Sequence, residues 1–74
     1  MNIDKELDTR GLTCPMPIVK TKKALLAMAD GQVLKVVATD PGSVSDMQAF
    51  AEATGHELLA SEVLGKEFVF FLKK

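Results

Sequence analysis

The sequence predicts a two-layer α/β fold with the element order β-α-β-α-β-β and both helices on one face of the sheet. Strand-like and helix-like segments alternate through most of the chain, which favours parallel strands joined by right-handed crossovers. The last two strand-like segments are separated by a short turn that contains glycine, which is typical of a hairpin. Because two helices are too few to cover both faces of a sheet, the other face is expected to be partly open.

The first half of the chain predicts a weak strand over 3–8, a helix over 15–29 and an apolar strand over 33–39. The helix is expected to stop at Asp30-Gly31, because glycine is favoured just beyond a helix C-terminus. The segment 33–39 is rich in branched side chains, which favour strands. Within it, Lys35 is expected to point toward the open face of the sheet.

The second half predicts a helix and a hairpin. The segment 43–46, Ser-Val-Ser-Asp, resembles a capping box with an acid in place of the usual Glu or Gln, and it opens a helix that runs to about Thr54. Two strands follow, over 57–64 and 67–72, and they are joined at Leu64-Gly65-Lys66.

The composition predicts one globular domain, residues 1–74, of 47% hydrophobic and 26% charged residues. Nine basic and ten acidic residues nearly cancel, which argues against direct nucleic-acid binding through a basic surface. The single cysteine cannot form an internal disulfide. One cysteine and one histidine are also too few side chains for a recognised metal-ligand set. The acidic N-terminus and the lack of a long apolar segment predict a cytoplasmic protein without a membrane span, in a compartment where a free thiol survives.

The single cysteine lies in LTCPMPIVKTKK, residues 12–23, at the predicted entrance of the first helix. If Cys14 is the N-cap, Pro15 is the first helical residue, where its missing N–H costs nothing. Met16 precedes Pro17, and the residue before a proline avoids helical dihedral angles. The alternative is therefore a helix that begins at Pro17, with Cys14 in the preceding loop. Both alternatives place the thiol near the positive end of the helix dipole, which predicts a moderately lowered pKa for Cys14.

The other residues of the chain limit the kinds of reaction in which this thiol could take part. There is no second cysteine for a dithiol oxidoreductase. His56 opens the third strand, at the predicted sheet edge opposite Cys14, which argues against a Cys–His pair and favours a structural histidine. The interpretation that fits is a thiol that accepts a group and hands it on, because attack on a sulfur–sulfur bond needs only thiolate character and access. A half-buried structural cysteine is the alternative.

Three other residues are candidates for a supporting role. Lys22 and Lys23 either dock an acidic partner or form a solvated helix face, with the stem of Lys22 expected to lean toward the apolar side. Asp40 is expected at the same carboxyl edge of the sheet as Cys14. It would form the turn and cap the second helix, or orient groups of a partner.

The motifs together resemble the TusA (SirA-like) family of small sulfur carriers over almost the whole chain. The resemblance rests on Leu7-Asp8, Gly11-Leu12, Cys14-Pro15-Met16-Pro17, Asp40-Pro41-Gly42, Asp46 and Gly55-His56-Glu57.

The resemblance implies a two-layer sandwich on a four-stranded mixed sheet, with Cys14 carrying sulfane sulfur as a persulfide and no other cofactor. Gly11, Pro15, Met16, Pro17 and Asp40 would support that site. The implied donor is a cysteine desulfurase or a rhodanese, and the implied acceptor is a DsrE-like protein. The pathway would be tRNA thiolation or sulfur oxidation, and the protein would be a carrier with sulfurtransferase activity at most.

Two further classes of function remain open. In a nucleic-acid-binding module, Phe68, Phe70 and Phe71 would stack on bases, although strand alternation predicts that two of them face the core. In a regulatory interaction domain, Cys14 would have no chemical use.

Overall fold

The computed structural model describes residues 2–74, and it confirms the predicted order of elements. The elements are β1 (Lys5–Thr9), α1 (Met16–Leu26), β2 (Val33–Ala38), α2 (Ser43–Thr54), β3 (Glu57–Leu64) and β4 (Glu67–Lys73). No helix within these residues is both long enough and apolar enough to cross a membrane.

The four strands form one mixed sheet in the order β1-β2-β4-β3. β1 runs parallel to β2, whereas β4 is antiparallel to both β2 and β3, so the predicted hairpin is confirmed. β4 lies inside the sheet because its side chains are the more apolar of the hairpin pair, with Val69, Phe70 and Leu72 buried. β3 is mostly exposed and forms an edge.

The core lies between the sheet and the two helices. On the central strands, Leu34, Val36, Phe70 and Leu72 are fully buried at alternating positions, as the period of a strand requires. α1 packs over β1 and β2, and α2 packs over β3 and β4. Each helix buries the same spacing of positions, namely Pro17, Thr21, Ala24 and Leu25 in α1 and Ser43, Met47, Phe50 and Ala51 in α2.

The end of α1 differs from the prediction. The helix stops at Leu26 instead of Ala29, because the N–H groups of Ala27 and Met28 donate to carbonyls three residues earlier, at 3.2 and 3.1 Å. These tighter bonds end the regular helical pattern. The ammonium group of Lys74 donates to the carbonyls of Leu26 and Met28, which fixes the end of the chain against this turn.

The face of the sheet opposite the helices carries paired charges. Lys35 points to this open face, as predicted, and its ammonium nitrogen lies 3.7 Å from the Glu6 carboxylate on the neighbouring strand. At the other end of the same face, Arg10 contacts Asp8 at 2.9 Å and Glu67 at 3.4 Å.

Candidate functional site

Cys14 lies exposed in the loop between β1 and α1, at the carboxyl edge of the sheet. Because β1 and β2 are parallel, the loop that follows β2 emerges at the same edge. Two hydrogen bonds join these loops. The Gly11 N–H donates to Thr39 Oγ1 at 2.9 Å, and the Cys14 N–H donates to Asp40 Oδ2 at 3.0 Å. The backbone beside the thiol is therefore held at two points.

The first helix begins between the two positions that the sequence allowed. Pro15 is the N-cap and Met16 is the first helical residue, so the prediction of Cys14 as the cap is wrong, and so is a start at Pro17. The Thr13 carbonyl accepts the Met16 N–H at 2.9 Å and forms a turn that leads into the helix. Cys14 therefore precedes the cap. Pro17 is buried as the second helical residue, whereas Met16, the first helical residue, is 41% exposed.

The second helix also begins one residue away from the predicted cap. Gly42 is the N-cap and no side chain caps the helix, so the predicted capping box is wrong. Ser43 is buried as the first helical residue, and its hydroxyl has no hydrogen-bond partner within residues 2–74. Asp46 lies in the first turn, where its negative charge is favoured by the helix dipole.

Asp40 forms the turn that the sequence predicted, and it also reaches Cys14. Its Oδ1 accepts the Gly42 N–H at 3.3 Å, and its backbone carbonyl accepts the Ser43 N–H at 3.0 Å. The other carboxylate oxygen is the one that accepts the Cys14 N–H. One side chain thus joins the start of α2 to the loop that holds the thiol, without capping α2 itself.

The electrostatic surroundings of the thiol differ from the prediction. The pKa of Cys14 is raised from its ordinary value, first by hydrogen bonding with the Asp46 carboxylate, then by desolvation, and then by the negative charges of Asp46 and Asp40. The expectation of a lowered pKa is therefore wrong. It rested on the dipole of α1, whereas in the folded protein the Asp46 carboxylate of α2 also acts on the thiol.

The lysines of α1 occupy an exposed surface away from the thiol. Lys20, Lys22 and Lys23 are all exposed. Lys23 lines a shallow cleft between α1 and β1 together with Lys5, Leu7, Lys20 and Ala24.

The other candidates from the sequence lie elsewhere or serve the core. His56 lies next to the start of β3, at the edge opposite Cys14, and its ring packs 5.9 Å from that of Phe50. Phe70 is buried and Phe68 packs against the core, which leaves Phe71 on the open face of β4. Three aromatic rings therefore do not form a common platform. Within residues 2–74 no group of three or more potential ligand side chains could hold a metal ion.

Sequence reasoning missed two residues of this site. Thr39 holds the loop at Gly11, and its place directly after β2, at the carboxyl edge, was the signal that could have found it. The sequence pointed to Asp46 only as a member of the family motif and of the predicted capping box. Its effect on the pKa of Cys14 depends on how α2 packs. No local pattern in the sequence reveals that contact.

These features define a class of protein: a small α+β sandwich that exposes one unpaired cysteine at the loop edge of a mixed sheet. The chain belongs to the TusA family, because the family model described as Sulfurtransferase TusA matches residues 5–74.

Individual relatives agree with this family. The chain is 56% identical over 73 residues to the sulfur carrier protein TusA of Allochromatium vinosum, covering 99% of this chain and 96% of that protein. It is 46% identical over 74 residues to the putative sulfur carrier protein YrkI of Bacillus subtilis, covering 100% and 99%. A crystal structure of a SirA-like protein from Desulfitobacterium hafniense superposes with a TM-score of 0.76 at 27% identity, covering 93% of this chain and 95% of that one.

Proposed function

We propose that this protein is a sulfur carrier in which Cys14 accepts sulfane sulfur as a persulfide and passes it to an acceptor protein. The observation that carries the proposal is the exposed, unpaired Cys14 in a loop whose backbone is fixed by Asp40. A persulfide on this residue has no second cysteine in the chain to discharge it. The relatives that bear the name of sulfur carriers support the same role.

Loading is a balanced exchange between a donor persulfide and the thiol. The Cys14 sulfur attacks the outer sulfur of the donor, a new sulfur–sulfur bond forms on Cys14, and the bond between the two donor sulfurs breaks. The proton of the Cys14 thiol ends on the donor's remaining thiol. No net oxidation or reduction takes place. Discharge repeats the exchange, with a cysteine of the acceptor as the attacking group.

The loop and the first helix position the Cys14 thiol more than they activate it. Pro15 and Pro17 begin the helix without leaving N–H groups unpaired. Met16, two residues after Cys14 in the chain, offers an exposed, adaptable apolar side chain. Lys22 and Lys23 lie about 9–11 Å along the helix axis from Met16. There they would dock an acidic part of a partner.

The partners in this proposal are a cysteine desulfurase or a rhodanese as the donor and a DsrE-like protein as the acceptor. The pathway served would be tRNA thiolation or sulfur oxidation. A reducing cytoplasm suits an unpaired thiol of this kind.

Intact-protein mass spectrometry tests the loading step. The protein is incubated with a cysteine desulfurase and L-cysteine, and separately with a rhodanese and thiosulfate, beside a Cys14→Ser control. We expect a gain of one sulfur atom that a reductant reverses and that the control lacks. No gain from either donor would overturn the proposal, and the chain has no other cysteine on which the sulfur could reside.

A further inference from the structure

We propose that Asp46, together with Asp40, makes Cys14 selective for sulfur donors that present positive charge beside the reacting sulfur. This inference rests on the proposed carrier function and names the kind of donor that the site accepts. Such a donor is a protein whose persulfide lies next to a lysine or arginine. Small anionic sulfur compounds would react slowly.

The geometry places two carboxylates on one side of the thiol's loop. Asp40 Oδ2 lies 3.0 Å from the Cys14 backbone nitrogen. A methyl group built on Gly42 would lie 3.7 Å from Asp40 Oδ2 and 3.9 Å from Asp46 Oδ2. Both carboxylates therefore converge on the same point next to the Cys14 loop. Asp46 itself is half-buried in the first turn of α2, and its carboxylate raises the pKa of the Cys14 thiol.

The cations nearest in the chain are directed elsewhere. Arg10 belongs to the same loop as Cys14, but its guanidinium contacts Asp8 and Glu67 on the open face of the sheet. Lys20 and Lys23 line the cleft between α1 and β1. The charged groups that act on the thiol from the loop and from α2 are thus Asp40 and Asp46, and both are acidic.

These charges oppose two steps of any reaction with an anionic donor. They disfavour the thiolate, which agrees with the raised pKa of Cys14, and they repel a second negative charge that approaches it. A unit charge about 4 Å away in water changes such an equilibrium roughly fivefold. A cationic group on a docked donor reverses both effects, since it pairs with the carboxylates and favours the thiolate.

Charge-matched thiol reagents test this selectivity on the unloaded protein. The thiolate attacks the sulfenyl sulfur of a methanethiosulfonate, a mixed disulfide forms and methanesulfinate leaves, so no oxidant is needed. The probes are the cationic trimethylammonium-ethyl reagent and the anionic sulfonato-ethyl reagent. The readout is the ratio of their rate constants in the wild type, in Asp46→Asn and in Glu52→Gln, which removes one exposed charge from the same helix.

We expect the wild type to react faster with the cationic reagent, and Asp46→Asn to lower the ratio of cationic to anionic rates by roughly fivefold or more. In Glu52→Gln the ratio of cationic to anionic rates should stay within about twofold of the wild-type ratio, because that charge lies about 9 Å further along the helix axis than Asp46. The reaction of Asp46→Asn with neutral methyl methanethiosulfonate should also reach half its maximal rate at a lower pH than in the wild type.

A wild-type ratio near one, or an equal ratio in Asp46→Asn and the wild type, would overturn the inference. If Asp46→Asn does not fold, the inference is tested by the salt dependence of the ratio of cationic to anionic rates in the wild type. The ratio should fall toward one as salt screens the carboxylates, and a ratio that salt does not change would count against them. Because these measurements use no sulfur donor, they are independent of whether Cys14 loads sulfur, and failed loading would overturn only the carrier function.

Discussion

At the scale of single residues, the position of Cys14 could be predicted from the sequence, but its acidity could not. The prolines that follow Cys14 mark the start of a helix, and this local signal placed the thiol near the helix entrance. The structure shows that Cys14 is exposed and lies in the loop before the helix. The pKa of the thiol depends on Asp46, which reaches it only after α2 has packed. Local sequence therefore located the thiol approximately, whereas tertiary packing raises its pKa.

Substitutions of Asp40 separate the hydrogen bond from the charge. Asp40→Ala removes the acceptor of the Cys14 N–H, and we expect a loss of about 1 kcal/mol in the free energy of unfolding. The Cys14 amide should also exchange with solvent faster in this variant. Asp40→Asn keeps an acceptor oxygen and should preserve most of the amide protection. Amide exchange measured by NMR checks both, and equal protection of Cys14 in Asp40→Ala and the wild type would contradict this role.

At the scale of elements, the order of helices and strands was easier to predict than the helix ends. Local pattern separates strand-like from helix-like segments, and the predicted order is confirmed. The ends depend on contacts that are distant in the chain, such as the bonds from Lys74 to the last turn of α1. The order of strands also needed more than local pattern, although the apolar run of β4 beside the polar alternation of β3 indicates which strand is internal.

The ion pair between Asp8 and Arg10 at the end of β1 depends on pH. Hydrogen bonds from Arg10 lower the pKa of Asp8 from 3.8 to about 2. Because the pKa is lower in the folded protein, the stabilisation is present above pH 3.8 and is lost as the pH falls through about 2. Arg10→Gln should return the pKa of Asp8 toward 3.8, which NMR titration of the side-chain carboxyl carbon measures.

A lysine elsewhere provides the control for this titration. Lys66→Gln also removes one positive charge, from the turn between β3 and β4, and should leave the Asp8 midpoint nearly unchanged. An Asp8 midpoint that is the same in Arg10→Gln and in the wild type would show that Arg10 does not hold this carboxylate in solution.

At the scale of the whole molecule, a small core supports both the sheet and the Cys14 loop. A chain of 74 residues is expected to have a free energy of unfolding of roughly 4–11 kcal/mol. The Cys14 loop is fixed by residues that follow β2, and β2 is held between β1 and β4. Damage to the centre of the sheet should therefore disturb the site without touching it.

Phe70 and Phe71 provide a matched pair for the core. Phe70 is fully buried against the helices, and Phe70→Ala should lower the free energy of unfolding by about 3–5 kcal/mol, which approaches the whole stability. Phe71 faces the open side of the same strand and is half-buried, so Phe71→Ala should cost clearly less. Urea denaturation followed by circular dichroism measures both. Equal losses in the two variants would contradict the assignment of a single core on the helix side of the sheet.

Transfer of sulfur from Cys14 to another protein can be followed with a radioactive label. Cys14 is loaded with ³⁵S from a cysteine desulfurase and labelled L-cysteine, the donor is removed, and a DsrE-like protein is added. We expect the label to leave Cys14 and to appear on a cysteine of the added protein, and we expect Cys14→Ser to transfer none. Label that stays on Cys14 until a small-molecule reductant releases it would contradict a carrier role, because the residue would then store sulfur without relaying it.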